Sequence, residues 1–365
     1  MSGEVRVATS SLHTLVIAPD GRVLCQGRNQ YGVCGADQTT AHVETLSPVP
    51  GLPRGRAVAV GGDGWTSMVP GEDGRVYVWG QNNFGFFGGT DRGPTYVRPQ
   101  PTPVAALERV TVIAAFEYGG AALRDHGTVW MWGRIANVCW RLACSRSPGS
   151  RARSSSRRGA SRASMRSCRS RAVRSTCWRL KSDGTVWVWG ANRYAQPGLG
   201  DTDPRASPTT IPSLSGVTRI YAAGTMSAAR QTDGSWMAWG TAPSTEPPTR
   251  DVGGVLNDMP PVLTPSPLPG LLRDATDVAA WAAAFRDGTV RTWGGNSVGS
   301  LGTGGSVDAT VPRGVIVRSL SGIVRVWAGG NRALALKSDG TLYLWGPAGT
   351  AGDRVLRVPT VLTRF

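Results

Sequence analysis

Apolar positions in this chain fall in short alternating runs, each opened by a turn dipeptide and closed by tryptophan-glycine. The clearest is Ser182 to Gly190, SDGTVWVWG. Asp183-Gly184 is a tight-turn pair, because glycine takes positive φ at no steric cost and aspartate ties its own backbone. The residues after it alternate with period two, Val186 and Val188 to one face and Trp187 and Trp189 to the other, which predicts a strand. Both faces are apolar, so the strand is expected to be covered on two sides.

The phrase recurs seven times, at 19–27, 72–80, 125–133, 182–190, 232–240, 286–294 and 338–346. A period near fifty residues points to repeated supersecondary units that share one continuous core, so 1–365 is read as a single domain. Each unit continues in the same way. A loop of the form Asn-x-x-Gly follows at Asn29, Asn82 and Asn296, with Asn192 leading to Ala195 instead. A proline-rich stretch, a β-branched strand and a lead-in strand come next, clearest at Ala333 to Leu336. Four short strands per unit make a propeller blade, so the expected fold is an all-β, seven-bladed β-propeller. The C-terminal strand is expected to close the ring by completing a blade begun at the other terminus.

This phrase, with its asparagine loop and fifty-odd-residue spacing, resembles the repeat of the regulator of chromosome condensation family over nearly the whole chain. The first unit departs from it, with Gln26 in the tryptophan position, and the asparagine loop is missing after Gly133, Gly240 and Gly346. Kelch repeats have a similar period but lack the phrase. The resemblance implies a ring that binds proteins. Its founding member is a guanine-nucleotide exchange factor for a small nuclear GTPase, and bacterial relatives include a secreted inhibitor of β-lactamases.

One segment breaks the pattern. Residues 134–179 hold 13 arginines, 11 serines, four of the six cysteines and no acidic residue. The chain carries +16, but outside this segment 27 basic residues face 24 acidic ones, so the basicity is local. The interval across it is hardly longer than the others, which marks a replacement rather than an insertion. A frameshift explains it economically: Thr176-Cys177-Trp178-Arg179, read one base earlier with suitable codons, gives His-Val-Leu-Ala, the lead-in the repeat demands. If the segment is genuine, its arginines would capture phosphates, which makes nucleic acid an alternative partner. Either way 134–179 is expected to be irregular or disordered, because it has too little aliphatic surface and too much like charge to pack.

Catalysis finds little support. His13, His42 and His126 lie at different repeat positions, and His13 matches a structural histidine of the family's lead-in. Asp201 and Asp203 read as turn residues. Cys25 and Cys34 read as reduced small hydrophobes, and Cys139, Cys144, Cys168 and Cys177 lack zinc-site spacing. No catalytic, cofactor or metal residue is assigned, and the chain is read as a non-enzymatic interaction scaffold. Its most individual loops, 92–103 and 241–270, are the candidate partner contacts. Neither a signal peptide nor a membrane-length apolar run is recognisable, so a cytoplasmic location is expected, or a secreted one if a leader precedes this sequence.

Overall fold

The computed structural model describes residues 4–365 apart from 36–38, 62–63, 83–84, 88–95, 106, 117–118, 134–158, 162–168, 174–175, 224–225, 241–260, 268–273, 280, 297, 306–310 and 351–353. Among the described residues every sheet is a four-stranded antiparallel meander of strands consecutive in sequence. The first holds Arg6–Thr9, His13–Ile17, Val23–Arg28 and His42–Pro48, from ring centre to rim. The repeated phrase is always the hairpin between second and third strands. Its turn glycine has φ between +77° and +87° in all seven units, the conformation only glycine adopts without strain.

The innermost strands follow one another around an axis. Arg6–Thr9 packs on Ala59–Gly61, which packs on Val110–Phe116; Arg169–Val173, Val217–Ala223, Ala275–Val278 and Ile323–Gly329 continue the circuit. The step from Val217–Ala223 to Ala275–Val278 is fixed by an ion pair, Arg219 Nη1 to Asp277 Oδ1 at 2.7 Å. Asp277 Oδ2 also accepts the Val326 N–H at 3.1 Å. Ile323–Gly329 then returns to Arg6–Thr9. This is the expected all-β propeller, with almost no helix. Six blades are regular, rather than seven: the sheet of Val110–Phe116, Gly119–Arg124 and Val129–Gly133 is completed only by the three residues Gly159–Ser161.

Two expectations need correction. Among the described residues no sheet mixes strands from the two chain ends: Val355–Arg364 pairs with Thr341–Pro347 at the rim of its own blade. The first blade already has its own innermost strand, so the termini meet by packing and through the Glu4–Arg325 ion pair. Nor is 134–179 irregular throughout. Thr176–Leu180 pairs in unbroken register with the phrase strand, and all five residues are buried. β-Pairing is a backbone interaction, so a foreign set of side chains does not prevent it. The rest of that expectation falls largely on 134–158 and 162–168, outside the described residues.

Candidate functional site

The two ends of the ring differ in how much they vary. At the Asp-Gly end, six of the seven hairpins are built alike, and in the third His126 stands in the place of the aspartate. The aspartate accepts the N–H two residues on: Asp183 from Thr185 at 3.0 Å, Asp233 from Ser235 at 2.9 Å, Asp287 from Thr289 at 2.9 Å and Asp339 from Thr341 at 3.0 Å. The hydroxyls at Ser235, Thr289 and Thr341 bond the same carboxylates and hold them below their ordinary pKa, as Lys181 and then the Thr185 hydroxyl do at Asp183. The turn glycine carbonyl then accepts an N–H from the start of the next blade, as in Val110 to Gly74, Val217 to Gly184 and Ile323 to Gly288. A face so uniform offers one chemistry repeated around the circle.

The opposite end carries the asparagine loops, and here the repeat does something the sequence did not announce. The carbonyl four residues after the asparagine accepts the indole N–H of the next blade's closing tryptophan. Trp79 bonds Val33 at 2.7 Å, Trp132 bonds Phe86 at 2.6 Å, Trp239 bonds Gln196 at 2.6 Å and Trp345 bonds Ser300 at 2.7 Å. The asparagine shapes the acceptor. Its Oδ1 takes the N–H five residues on, at Cys34, Phe87 and Leu301. At Asn192 that position is Pro197, which has no N–H, and Asn192 Oδ1 is buried without a partner. These are latches between blades. The units ending at Gly133, Gly240 and Gly346 lack this asparagine.

Both candidate contact loops leave the ring at this end, since each follows a phrase strand. Val97–Pro103 and Val262–Pro267 prove to be rim strands rather than loop. Residues 92–95, 241–260 and 268–270 lie outside the described residues. Half-buried aromatic and arginine side chains flank the first of them. Arg98 sits over the Phe87 and Tyr96 rings, 5.0 and 5.5 Å from their centroids, and donates to the Tyr96 hydroxyl. One blade earlier, Tyr31 stacks on Trp65 at 5.0 Å and holds an unusual φ of +67°. Their signal in the sequence was only two aromatic residues in turns of neighbouring units.

The remaining polar candidates are structural. His13 is fully buried; Ser67 Oγ donates to the Val33 carbonyl at 2.7 Å and accepts from His13 Nε2 at 2.8 Å, which places a proton on Nε2. Burial, and secondarily the Arg332 charge, push its pKa down to about 3. The folded pKa lies below the unfolded one, so this stability is complete above pH ~6.5 and is lost as pH falls toward 3. H13Q is expected to flatten the acid limb of a Tm-against-pH curve between those values. His42 Nδ1 lies 3.1 Å from the Gly349 carbonyl, and His126 is exposed beside Asp125. Asp201 pairs with Arg205, while its carbonyl and that of Asp203 accept from Asn192 Nδ2. Among the described residues no three potential metal ligands cluster.

Cys25 and Cys34 overturn the reading of reduced thiols. They form a disulfide, with Cα atoms 5.3 Å apart, between the phrase strand and its asparagine loop. The pair replaces a contact that other blades make with aliphatic and aromatic groups, as Val78 and Phe87 do in one core. Closing a loop of this size is expected to contribute about 2–3 kcal/mol. Reduction followed by thiol blocking should lower the urea midpoint accordingly.

A family model for the "Regulator of chromosome condensation (RCC1) repeat" matches residues 183–230. The solved structure of yeast RCC1 (Prp20) bound to Kap60 superposes with a TM-score of 0.70 at 18% identity, over 97% of this chain and 85% of that one. The chain is an RCC1-like propeller. A human protein, WBSCR16, gives a TM-score of 0.72 at 18% identity, over 94% of each chain. Among curated relatives, human "E3 ubiquitin-protein ligase HERC2" is 27% identical over 298 residues, 78% of this chain. The "Ultraviolet-B receptor UVR8" of Arabidopsis thaliana is 30% identical over 179 residues, 47% of this chain. This RCC1-like propeller spans only 6% of the length of HERC2 and 39% of UVR8.

Proposed function

We propose that this RCC1-like propeller is a non-enzymatic protein-binding ring whose partner docks on the asparagine-loop end. The observation that carries this is the contrast between the two ends. The Asp-Gly end repeats one construction, while the other end places half-buried Tyr31, Trp65, Tyr96 and Arg98 beside loops that differ between blades. Aromatic and arginine side chains held rigidly are the groups that dominate binding energies at protein interfaces. In this reading the ring counts seven blades, one of them completed from the atypical segment.

Among relatives, yeast RCC1 (Prp20) is solved with Kap60 and described for its binding to Gsp1p and histones. Guanine-nucleotide exchange on a small GTPase is therefore the second reading, and inhibition of a secreted enzyme the third. The Cys25–Cys34 disulfide favours an oxidising compartment, and with it the secreted alternative over the cytoplasmic one, because such bonds persist outside the reducing cytosol.

The test is cross-linked capture with the protein whose residues 134–179 have been restored to the repeat's reading frame, at two salt concentrations. A partner that survives high salt and is lost in the Y31A/W65A double variant supports docking at this end. Equal capture by that variant refutes it. Capture that vanishes with salt reports charge alone. An exchange assay on a panel of small GTPases decides the second reading.

A further inference from the structure

The joint between the last and first blades lacks the tryptophan latch. Gln26 stands in the tryptophan position and donates within its own blade, to the Glu44 carbonyl, and Ala348 stands where the asparagine would be. What occupies this joint is Arg332. Its register position, opposite the closing glycine of the phrase, is Thr66 or Thr176 in other blades and His13 in the first. A cation there is no requirement of the repeat.

Arg332 is 1% exposed, yet neither its Nε nor its Nη2 has a hydrogen-bond partner. Its charged neighbours make matters worse. Burial, and secondarily the opposing charge of Arg28, lowers its pKa to about 10, still a cation at neutral pH. His13 feels the same field and stays neutral. The guanidinium presses against two glycines, Gly27 and Gly349. A Cβ at Gly27 would stand 3.2 Å from Nη1, and one at Gly349 would collide with Nη2. The Gly349 carbonyl faces His42 Nδ1, not the arginine.

A buried guanidinium with open donors, no carboxylate bonded to it among the described residues and a second arginine beside it is an incomplete ion site. The planar fork of arginine matches two oxygens of a tetrahedral or carboxylate anion. We propose that the last–first blade joint binds an oxyanion, phosphate or carboxylate in kind, held by Arg332. Such an anion would act as the missing latch, joining the ring where its chain ends meet. The inference stands apart from the choice of protein partner, since it concerns the seam and not the loops.

The experiment is thermal unfolding of the disulfide-intact protein titrated with sodium phosphate and, separately, sodium acetate, at constant ionic strength made up with sodium chloride. R332M keeps the length of the side chain and removes the charge, and R75Q, at an exposed arginine of the Asp-Gly end, serves as control. Phosphate also stabilises proteins non-specifically by exclusion from their surface, so the comparison with R332M decides. A saturable rise in Tm of several degrees for wild type and R75Q, absent in R332M, supports the site. A stronger response to phosphate identifies a free anion, and a stronger response to acetate a carboxylate supplied by a bound chain. Should R332M fail to fold, phosphorus NMR line broadening of phosphate by wild-type protein, reversed by excess sulfate, replaces it. Parallel curves for wild type and R332M, or no saturable response and no broadening, overturn the proposal.

Discussion

Trp239→Phe is expected to destabilise the ring by about 1–2 kcal/mol, and Trp239→Ala by about 3–5 kcal/mol. The indole is fully buried among Trp178, Leu180, Val188 and Ile211, and its N–H reaches back to the Gln196 carbonyl at 2.6 Å. Phenylalanine preserves most of the apolar contact but leaves that carbonyl with a weaker set of donors, of which Ser227 Oγ at 3.0 Å remains. Alanine adds a cavity between two blades. The urea midpoint is the measure, and an unchanged slope m would show that the native fold is retained. A midpoint for W239F equal to that of wild type would reduce the tryptophan to a space-filler and remove the latch from the account.

That latch marks the boundary of what the chain discloses without coordinates. Asp-Gly turns and alternating apolar residues are local signals, and they placed every phrase strand correctly. The asparagine loop was equally visible, but its meaning lies 43 to 46 residues away, in the next unit's indole. Read alone, Asn29 or Asn82 explains a turn, and nothing in it says which carbonyl is being presented. The disulfide was hidden for a related reason. Cys25 occupies the register of Val78, and Cys34 the position of Phe87, residues that share one core cluster. Superposing the repeats column by column would have brought the two sulfurs together, whereas spacing along the chain did not. The phase of the blades was likewise undetermined: an alternating pattern does not say whether the first strand belongs with the phrase that follows it.

Restoring the repeat at Thr176→His, Cys177→Val, Trp178→Leu and Arg179→Ala is expected to raise stability by about 2 kcal/mol or more. Trp178 pairs with Val188 and Arg179 with Trp187, so they stand in the columns of Leu15 and Val16, Met68 and Val69, and Leu334 and Ala335. Those residues are fully buried aliphatics or methionine, and Arg179 is itself only 3% exposed. A guanidinium in such a column is desolvated even where it is paired, and replacing a buried charge and its polar contacts by a fitting apolar group gains about 1–4 kcal/mol. Trp178 Nε1 is buried without a partner, a further cost of about 1–3 kcal/mol. Opposing both is the cavity left when the larger indole becomes leucine. Methionine at 179 keeps most of the length of the side chain, so R179M alone isolates the charge, while the fourfold change tests the column as a whole. Gains in both, read as urea midpoints at constant m, are what a stretch displaced from its reading frame requires. A loss in both would mean that the surrounding core is fitted to Trp178 and Arg179, and that these residues belong to the protein's own design.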